Sequence, residues 1–179
     1  MKETHGDLWD FHKRGNWVCI PVNGTVTKSG AAVMGRGVAL QATQKYPNLR
    51  TRWGATRTKQ HQEFQDRHPH LAVYADIRLI MFPVKHDWHE TADYKLIELA
   101  ARELMLYGTF DRAIKERVIG VGLPRVGCGN GRLDWAKVRP ILNHFLDDAY
   151  TIIHMSEEDT SAKYGVKSAG KQTPWRMPA

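Results

Sequence analysis

Twice in this chain a short β-branched apolar run feeds a glycine-dense loop and then a stretch with helical spacing, and this repeated passage is what most restricts the folds open to it. The first run is Trp17-Val18-Cys19-Ile20-Pro21-Val22, closed by Asn23-Gly24. Residues 25–37 then carry Gly30, Gly35 and Gly37, and Val38-Ala39-Leu40-Gln41-Ala42-Thr43-Gln44-Lys45-Tyr46 reads as a helix that stops before Pro47. The second run, Val118-Ile119-Gly120-Val121-Gly122-Leu123-Pro124, enters Arg125-Val126-Gly127-Cys128-Gly129-Asn130-Gly131. Asp134 can cap the helix after it, with Val138, Ile141, Leu142 and Phe145 as the apolar face and Pro140 past the first turn. A strand that turns sharply into a helix leaves backbone N–H groups facing one space, beside the positive end of the helix dipole, so each loop is a candidate anion site. Tight turning alone would also select glycine. Two such loops in one small chain weigh against that simpler account.

The remaining segments complete an alternation of strands and helices. Residues 49–70 are rich in Arg, Gln and His, with Trp53 and Phe64 as the large apolar anchors, which predicts a partly exposed helical or irregular stretch. Leu71-Ala72-Val73-Tyr74 and Leu79-Ile80-Met81-Phe82 read as strands, although the link Ala75-Asp76-Ile77 lacks the glycine that would define a hairpin turn. A polar loop, Val84-Lys85-His86-Asp87-Trp88-His89-Glu90, follows Pro83. Thr91 or Asp93 can cap a helix whose Leu96, Leu99, Ala100 and Leu104 share a face and which Gly108 closes. Tyr150-Thr151-Ile152-Ile153-His154 is the last strand candidate. The pattern predicts an α/β domain over residues 1–155, with helices covering both faces of a parallel or mixed sheet. Residues 156–179, dominated by Ser, Lys, Gly and Pro, read as a flexible basic tail.

With 26 Lys and Arg against 19 Asp and Glu in 179 residues, the formal charge is +7, which favours anionic partners such as nucleotides or nucleic acid. The two cysteines, Cys19 and Cys128, read as free thiols, and the nine histidines show no spaced pattern of the kind zinc uses, so no metal and no cofactor is expected. No apolar run nears the roughly 20 residues of a membrane span, and Met1-Lys2-Glu3-Thr4-His5-Gly6-Asp7 is unlike a secretory leader. The expectation is a soluble cytoplasmic protein with no membrane partner. Gly35-Arg36-Gly37-Val38 lacks the Gly-Lys-Ser/Thr ending of a P-loop, and Gly127-Cys128-Gly129-Asn130-Gly131 lacks the Rossmann spacing, which removes the NTPase and dehydrogenase readings.

Gly6-Asp7-Leu8, Val22-Asn23, Val33-Met34-Gly35-Arg36-Gly37-Val38-Ala39 and Leu123-Pro124-Arg125-Val126-Gly127-Cys128-Gly129 together resemble the macrodomain family, over about residues 6–154. Within it, Phe82-Pro83-Val84-Lys85 and Gly127-Cys128-Gly129-Asn130-Gly131-Arg132-Leu133-Asp134-Trp135 are similar to the branch of DarG-type antitoxins and terminal ADP-ribose glycohydrolases. The resemblance implies a three-layer α/β/α sandwich with a mixed central sheet that binds ADP-ribose. It implies that Asp7 accepts the adenine amino group beside Leu8, and that the diphosphate and distal ribose lie against Asn23, Val33, Met34, Gly35, Gly37 and Val38 from one side. From the other side come Pro124, Arg125, Gly127, Cys128, Gly129, Asn130 and Gly131. It also implies that Lys85 attacks the anomeric carbon of the ADP-ribosyl group, a task that needs a partly neutral amine, helped by desolvation or by neighbouring cations such as His86. On spacing alone, Asp7 reads as a turn aspartate and Lys85 as a surface lysine.

The chain departs from the eukaryotic glycohydrolases at Gly131, where they carry an aspartate. His86, Asp87 and His89 are the candidates left for acid/base work, alongside substrate and water. The Asn-Ala-Ala-Asn sequence of the commoner mono-ADP-ribosyl hydrolases is absent too. Three activities follow: a hydrolase removing ADP-ribose from modified DNA or protein, an ADP-ribose 1″-phosphate phosphatase, and a reader of ADP-ribosylated partners without turnover. Weak nucleic-acid binding through the basic surface is an accessory expectation.

Overall fold

Val18, Ile20 and Val22 alternate along their strand with Trp17 and Cys19, and all five are buried, so this strand has a covered face on each side. That is the signature of a central strand between two helical layers. The computed structural model describes residues 1–65, 68–110, 119–156 and 159. Its strands are β1 (Lys2–His5), β2 (Trp17–Asn23), β3 (Ala72–Tyr74), β4 (Leu79–Lys85), β5 (Val121–Leu123) and β6 (Tyr150–His154), and its helices are α1 (Leu8–Lys13), α2 (Gly37–Lys45), α3 (Leu49–Phe64), α4 (Tyr94–Phe110) and α5 (Trp135–Phe145). The strands form one sheet in the order β1-β6-β5-β2-β4-β3, parallel throughout except for the antiparallel β3–β4 pair at one edge. The mixed sheet is as expected.

The alternation sorts the core into two layers. Trp17, Cys19, Ile80, Phe82, Val121 and Ile152 pack with Ile97, Ala101 and Leu104 of α4 and Val138 and Leu142 of α5. On the opposite face, Val18, Ile20, Leu79, Met81 and Ile153 pack with Leu8 and Trp9 of α1, Ala42 of α2, and Leu49 and Trp53 of α3. Period-2 strands pressed between period-3.6 helices give the three-layer α/β/α sandwich.

Several expectations need correction. The polar loop placed after Pro83 begins later, because β4 runs on to Lys85 with Val84 buried. Of the two apolar anchors assigned to residues 49–70, Trp53 is buried, but Phe64 stands exposed at the end of α3 and Leu49 takes the second core position. The β3–β4 hairpin needs no glycine: the link is a single 3₁₀ turn, Ala75–Ile77, closed by Arg78 in the left-handed region at φ 50°. Gly108 does not close α4, which continues to Phe110. Asp93 rather than Thr91 serves as its cap, its Oδ1 accepting from the Lys95 N–H at 2.8 Å. Apart from Ser156 and Asp159, the expected tail over 156–179 lies outside the described residues.

α3 also explains a glycine in mid-helix. A Cβ on Gly54 would run into the carbonyl oxygen of Gly30, because the helix lies directly on the small hairpin of residues 25–33 that forms the first part of the first glycine loop. The helix gives up roughly 1 kcal/mol of propensity at Gly54 for that contact.

Candidate functional site

Because β2, β4 and β5 are parallel, their carboxyl ends open on the same side of the sheet, where crevices of α/β folds take ligands. A cleft of 710 Å³ lies there, within the range of small-molecule sites. Pro21, Val22 and Asn23 supply its floor from β2, Val84 and Lys85 from β4, and Pro124 and Arg125 from the end of β5. The first glycine loop brings Val33, Met34, Gly35, Arg36, Gly37, Val38 and Ala39 to one wall, and the second brings Gly127, Gly129, Asn130, Gly131 and Arg132 to the other.

The first wall is held from β2. The Asn23 side chain donates from Nδ2 to the Val33 carbonyl at 2.8 Å and accepts the Thr25 N–H at Oδ1 at 2.9 Å. It therefore serves the loop's shape more than it offers a free amide. Trp53 of α3 donates Nε1–H to the Asn23 carbonyl at 3.1 Å, tying the same corner to the core. The wall then becomes helix: Arg36 is the N-cap of α2 and supplies no side-chain cap, while Gly37 opens the helix at φ 56°. First-turn N–H groups have no partner inside their helix, and here Gly37, Val38 and Ala39 line the cleft.

The second wall is a compact backbone knot. The Leu133 N–H donates to the Gly127 carbonyl at 3.0 Å, the Arg132 N–H to that of Gly129 at 3.0 Å, and the Ala92 N–H to that of Gly131 at 2.9 Å. Gly127 has φ 75°, and a Cβ there would lie 2.7 Å from Cδ1 of Ile97 on α4. At Gly131 a Cβ would run into the Gly127 carbonyl and approach the Ala92 Cβ to 2.8 Å. A side chain at this position therefore requires the loop to shift. The walls meet near Gly37, where a Cβ would sit 3.1 Å from Nδ2 of Asn130.

Lys85 lies between the walls. A register shift between Val22 and Asn23 sets Asn23 opposite Lys85 instead of Val84, and this β-bulge brings Lys85 level with the end of β2. Its Nζ donates to the Asn130 carbonyl at 2.9 Å. Burial holds its ammonium pKa below the usual lysine range, and the positive charges of Arg132 and Arg36 act in the same direction against the weaker opposing pull of Glu90. Arg132 and Arg36 are therefore the neighbouring cations, in place of the His86 expected from the sequence.

The three acid/base candidates separate. His89 lines the cleft. His86 turns away, its Nε2 paired with Asp93 at 3.0 Å, and Asp87 accepts the Thr25 hydroxyl at 3.1 Å; both line a different cavity. The one-residue bulge and the turn after β4 decide this, and neither leaves a sequence signal. Asp7 lies outside the cleft lining; its Oδ1 caps α1 by accepting the Trp9 N–H at 2.6 Å, beside the buried Leu8. Cys128 also lies outside the lining, half-buried, with its thiol pKa pushed up to about 11 by burial. Both cysteines are free, as expected. Arg36, Arg132 and Trp88 join the site without having been singled out. Arg132 at φ 62° continues the glycine loop's geometry and was the one most open to detection.

Among the described residues, no group of three or more His, Cys, Asp or Glu side chains could hold a metal ion, and no helix is long and apolar enough to cross a membrane.

No protein-family model matches the chain. A curated relative, the DNA ADP-ribosyl glycohydrolase of Thermus aquaticus, is 30% identical over an alignment of 141 residues that covers 75% of this chain and 37% of the relative. The chain spans about a third of the length of the curated relatives it matches. Among solved structures, Thermosipho africanus DarTG in complex with ADP-ribose is similar with a TM-score of 0.64 at 22% identity, covering 90% of this chain and 44% of that one. The macrodomain of Thermus aquaticus DarG gives 0.61 at 23% identity, covering 87% and 97%.

Proposed function

We propose that this chain, which has the macrodomain fold, binds ADP-ribose in its cleft and that Lys85 removes the ADP-ribosyl group from modified DNA. The observation that carries the reading is Lys85 itself. It is a partly desolvated amine flanked by two arginines, held at 2.9 Å to the second glycine loop inside a cleft of ligand size. The relatives supply the substrate class: one is a DNA ADP-ribosyl glycohydrolase, another was solved with ADP-ribose.

In the proposed mechanism the diphosphate lies against the N–H groups at the start of α2 and along the second loop, with Arg36 and Arg132 balancing its charge. The neutral Lys85 amine uses its lone pair to form a bond to the anomeric carbon. The glycosidic bond breaks, its electron pair leaving with the base, which takes up a proton. Water then attacks the anomeric carbon, Lys85 departs with its electron pair, and the added proton returns to solvent or to the site. The net change is one water consumed, with free ADP-ribose and unmodified DNA formed. His89 is the acid/base candidate within the cleft, and no carboxylate from position 131 takes part.

That missing carboxylate favours one second reading, a module that holds ADP-ribose without turnover. Incubation with thymidine-linked ADP-ribosyl DNA, followed by mass spectrometry and paired with calorimetry on ADP-ribose, separates the two. Released ADP-ribose supports the glycohydrolase. Binding without release would assign the reader, and release of inorganic phosphate from ADP-ribose 1″-phosphate would assign the phosphatase.

A further inference from the structure

Beside the cleft lies a second cavity of 660 Å³, and the turn from Asp87 to Glu90 is the ridge between them. Thr25 ties the ridge down: its hydroxyl donates to Asp87 Oδ1 at 3.1 Å and accepts the Trp88 N–H at 3.0 Å. Asp87 and Glu90 line the second cavity as carboxylates, yet both are engaged within the ridge, Glu90 Oε2 accepting the Asp87 N–H at 3.2 Å. The rest of that lining is rich in donors and flat rings: Arg57, Thr58 and His61 from α3, His68, and His86. The His68 and His86 rings stand 5.0 Å apart.

Trp88 crowns the ridge. It is held by its backbone while the residue is 57% exposed, three residues from Lys85 and on the lining of the cleft. The core has no use for this indole; its ring neighbour is His89, in edge contact at 5.7 Å. A solvent-facing aromatic, anchored through its backbone between a catalytic cleft and a donor-rich cavity, is what a single nucleic-acid strand uses, with bases stacked on the ring and phosphates met by imidazole and guanidinium groups.

We infer that the second cavity takes the nucleotide flanking an ADP-ribosylated base in single-stranded DNA, with Trp88 as the stacking platform between the two subsites. The inference rests on the glycohydrolase reading and extends it to the strand beyond the modified base. It assigns the preference for DNA to Trp88 and the α3 side of the cavity, and leaves the ADP-ribose cleft to recognise the modification.

The test compares ADP-ribose release from an ADP-ribosyl thymidine nucleoside and from a nine-nucleotide strand containing it. Wild type is set beside Thr58→Glu, His61→Glu and Trp88→Ala, the first two lying at exposed positions of α3. Wild type is expected to show a KM for the strand below that for the nucleoside by roughly 5- to 150-fold, the worth of about one stacked base. All three variants should shrink that ratio, and Thr58→Glu should leave nucleoside turnover unchanged. Equal KM values in wild type, or a ratio unmoved by all three variants, would overturn the inference while leaving the glycohydrolase standing. If wild type releases nothing from either substrate, the glycohydrolase reading fails. The inference is then judged on binding of a fluorescent unmodified nine-nucleotide strand: loss of affinity in Thr58→Glu and Trp88→Ala would support it, and unchanged affinity or no binding by wild type would sink it.

Discussion

Replacing Gly131 by aspartate puts back the carboxylate that the eukaryotic glycohydrolases carry there, and the geometry says it will harm the protein instead of improving it. A side chain at 131 starts with a Cβ driven into the Gly127 carbonyl oxygen, with the Ala92 Cβ at 2.8 Å, so the loop must move. Overpacking of this kind costs about 1–3 kcal/mol. The movement also loosens the 2.9 Å bond from the Ala92 N–H to the Gly131 carbonyl, worth about 1 kcal/mol more. A total of roughly 2–4 kcal/mol lowers the melting temperature of a chain this size by about 5–15 °C. Because the same loop holds Lys85 through the Asn130 carbonyl, ADP-ribose affinity and release should fall together. Differential scanning fluorimetry and calorimetry on Gly131→Asp and Gly131→Ala check this. A variant with aspartate that melts like wild type and releases ADP-ribose faster would refute the steric argument and show that only the acid was missing.

Gly54→Ala should destabilise by about 1–3 kcal/mol in chemical denaturation despite alanine's better helix propensity, since its Cβ meets the Gly30 carbonyl; a stabilised variant would mean the hairpin under α3 gives way freely. Asp7 caps α1, and its proposed contact with adenine can be tested separately: Asp7→Ala should cost about 0.5–2 kcal/mol through loss of the cap while Asp7→Asn keeps it, and both should weaken ADP-ribose binding by roughly 1.5–3 kcal/mol if the carboxylate accepts from adenine. The release rate should climb with pH as the Lys85 ammonium loses its proton and level off below the ordinary lysine range, and Arg132→Ala, by removing a cation that favours the neutral amine, should move that rise to higher pH. A profile unmoved by Arg132→Ala would detach the rate from Lys85 titration. Cys128→Ser should leave release intact, because burial keeps the thiol protonated at neutral pH.

The parts of the fold that could be read from the sequence are those whose apolar periodicity is undiluted. β2 and β4 are continuous apolar runs because both faces of the sheet are covered, and α4 carries a clear stripe. β1 escapes notice because Lys2, Glu3, Thr4 and His5 are all exposed on an edge strand, so no buried face marks the alternation. α1 is only six residues long. At the site, both glycine loops were visible as composition, whereas the orientation of the polar residues after Pro83 was not. One bulge at Asn23 and one turn at Asp87 turn Lys85 and His89 toward the cleft and His86 and Asp87 toward the other cavity; strand pairing sets the bulge and the Thr25 hydroxyl holds the turn. Trp88 shows the same limit: its exposure depends on the Thr25 anchor 63 residues away in sequence.

The decisive step of the proposed reaction is attack of the Lys85 amine on the anomeric carbon. Its most direct test is single-turnover release of ADP-ribose from thymidine-linked ADP-ribosyl DNA by wild type and by Lys85→Ala, with ADP-ribose affinity of both measured by calorimetry. The variant should still bind ADP-ribose but release none. Release by Lys85→Ala at the wild-type rate would contradict it.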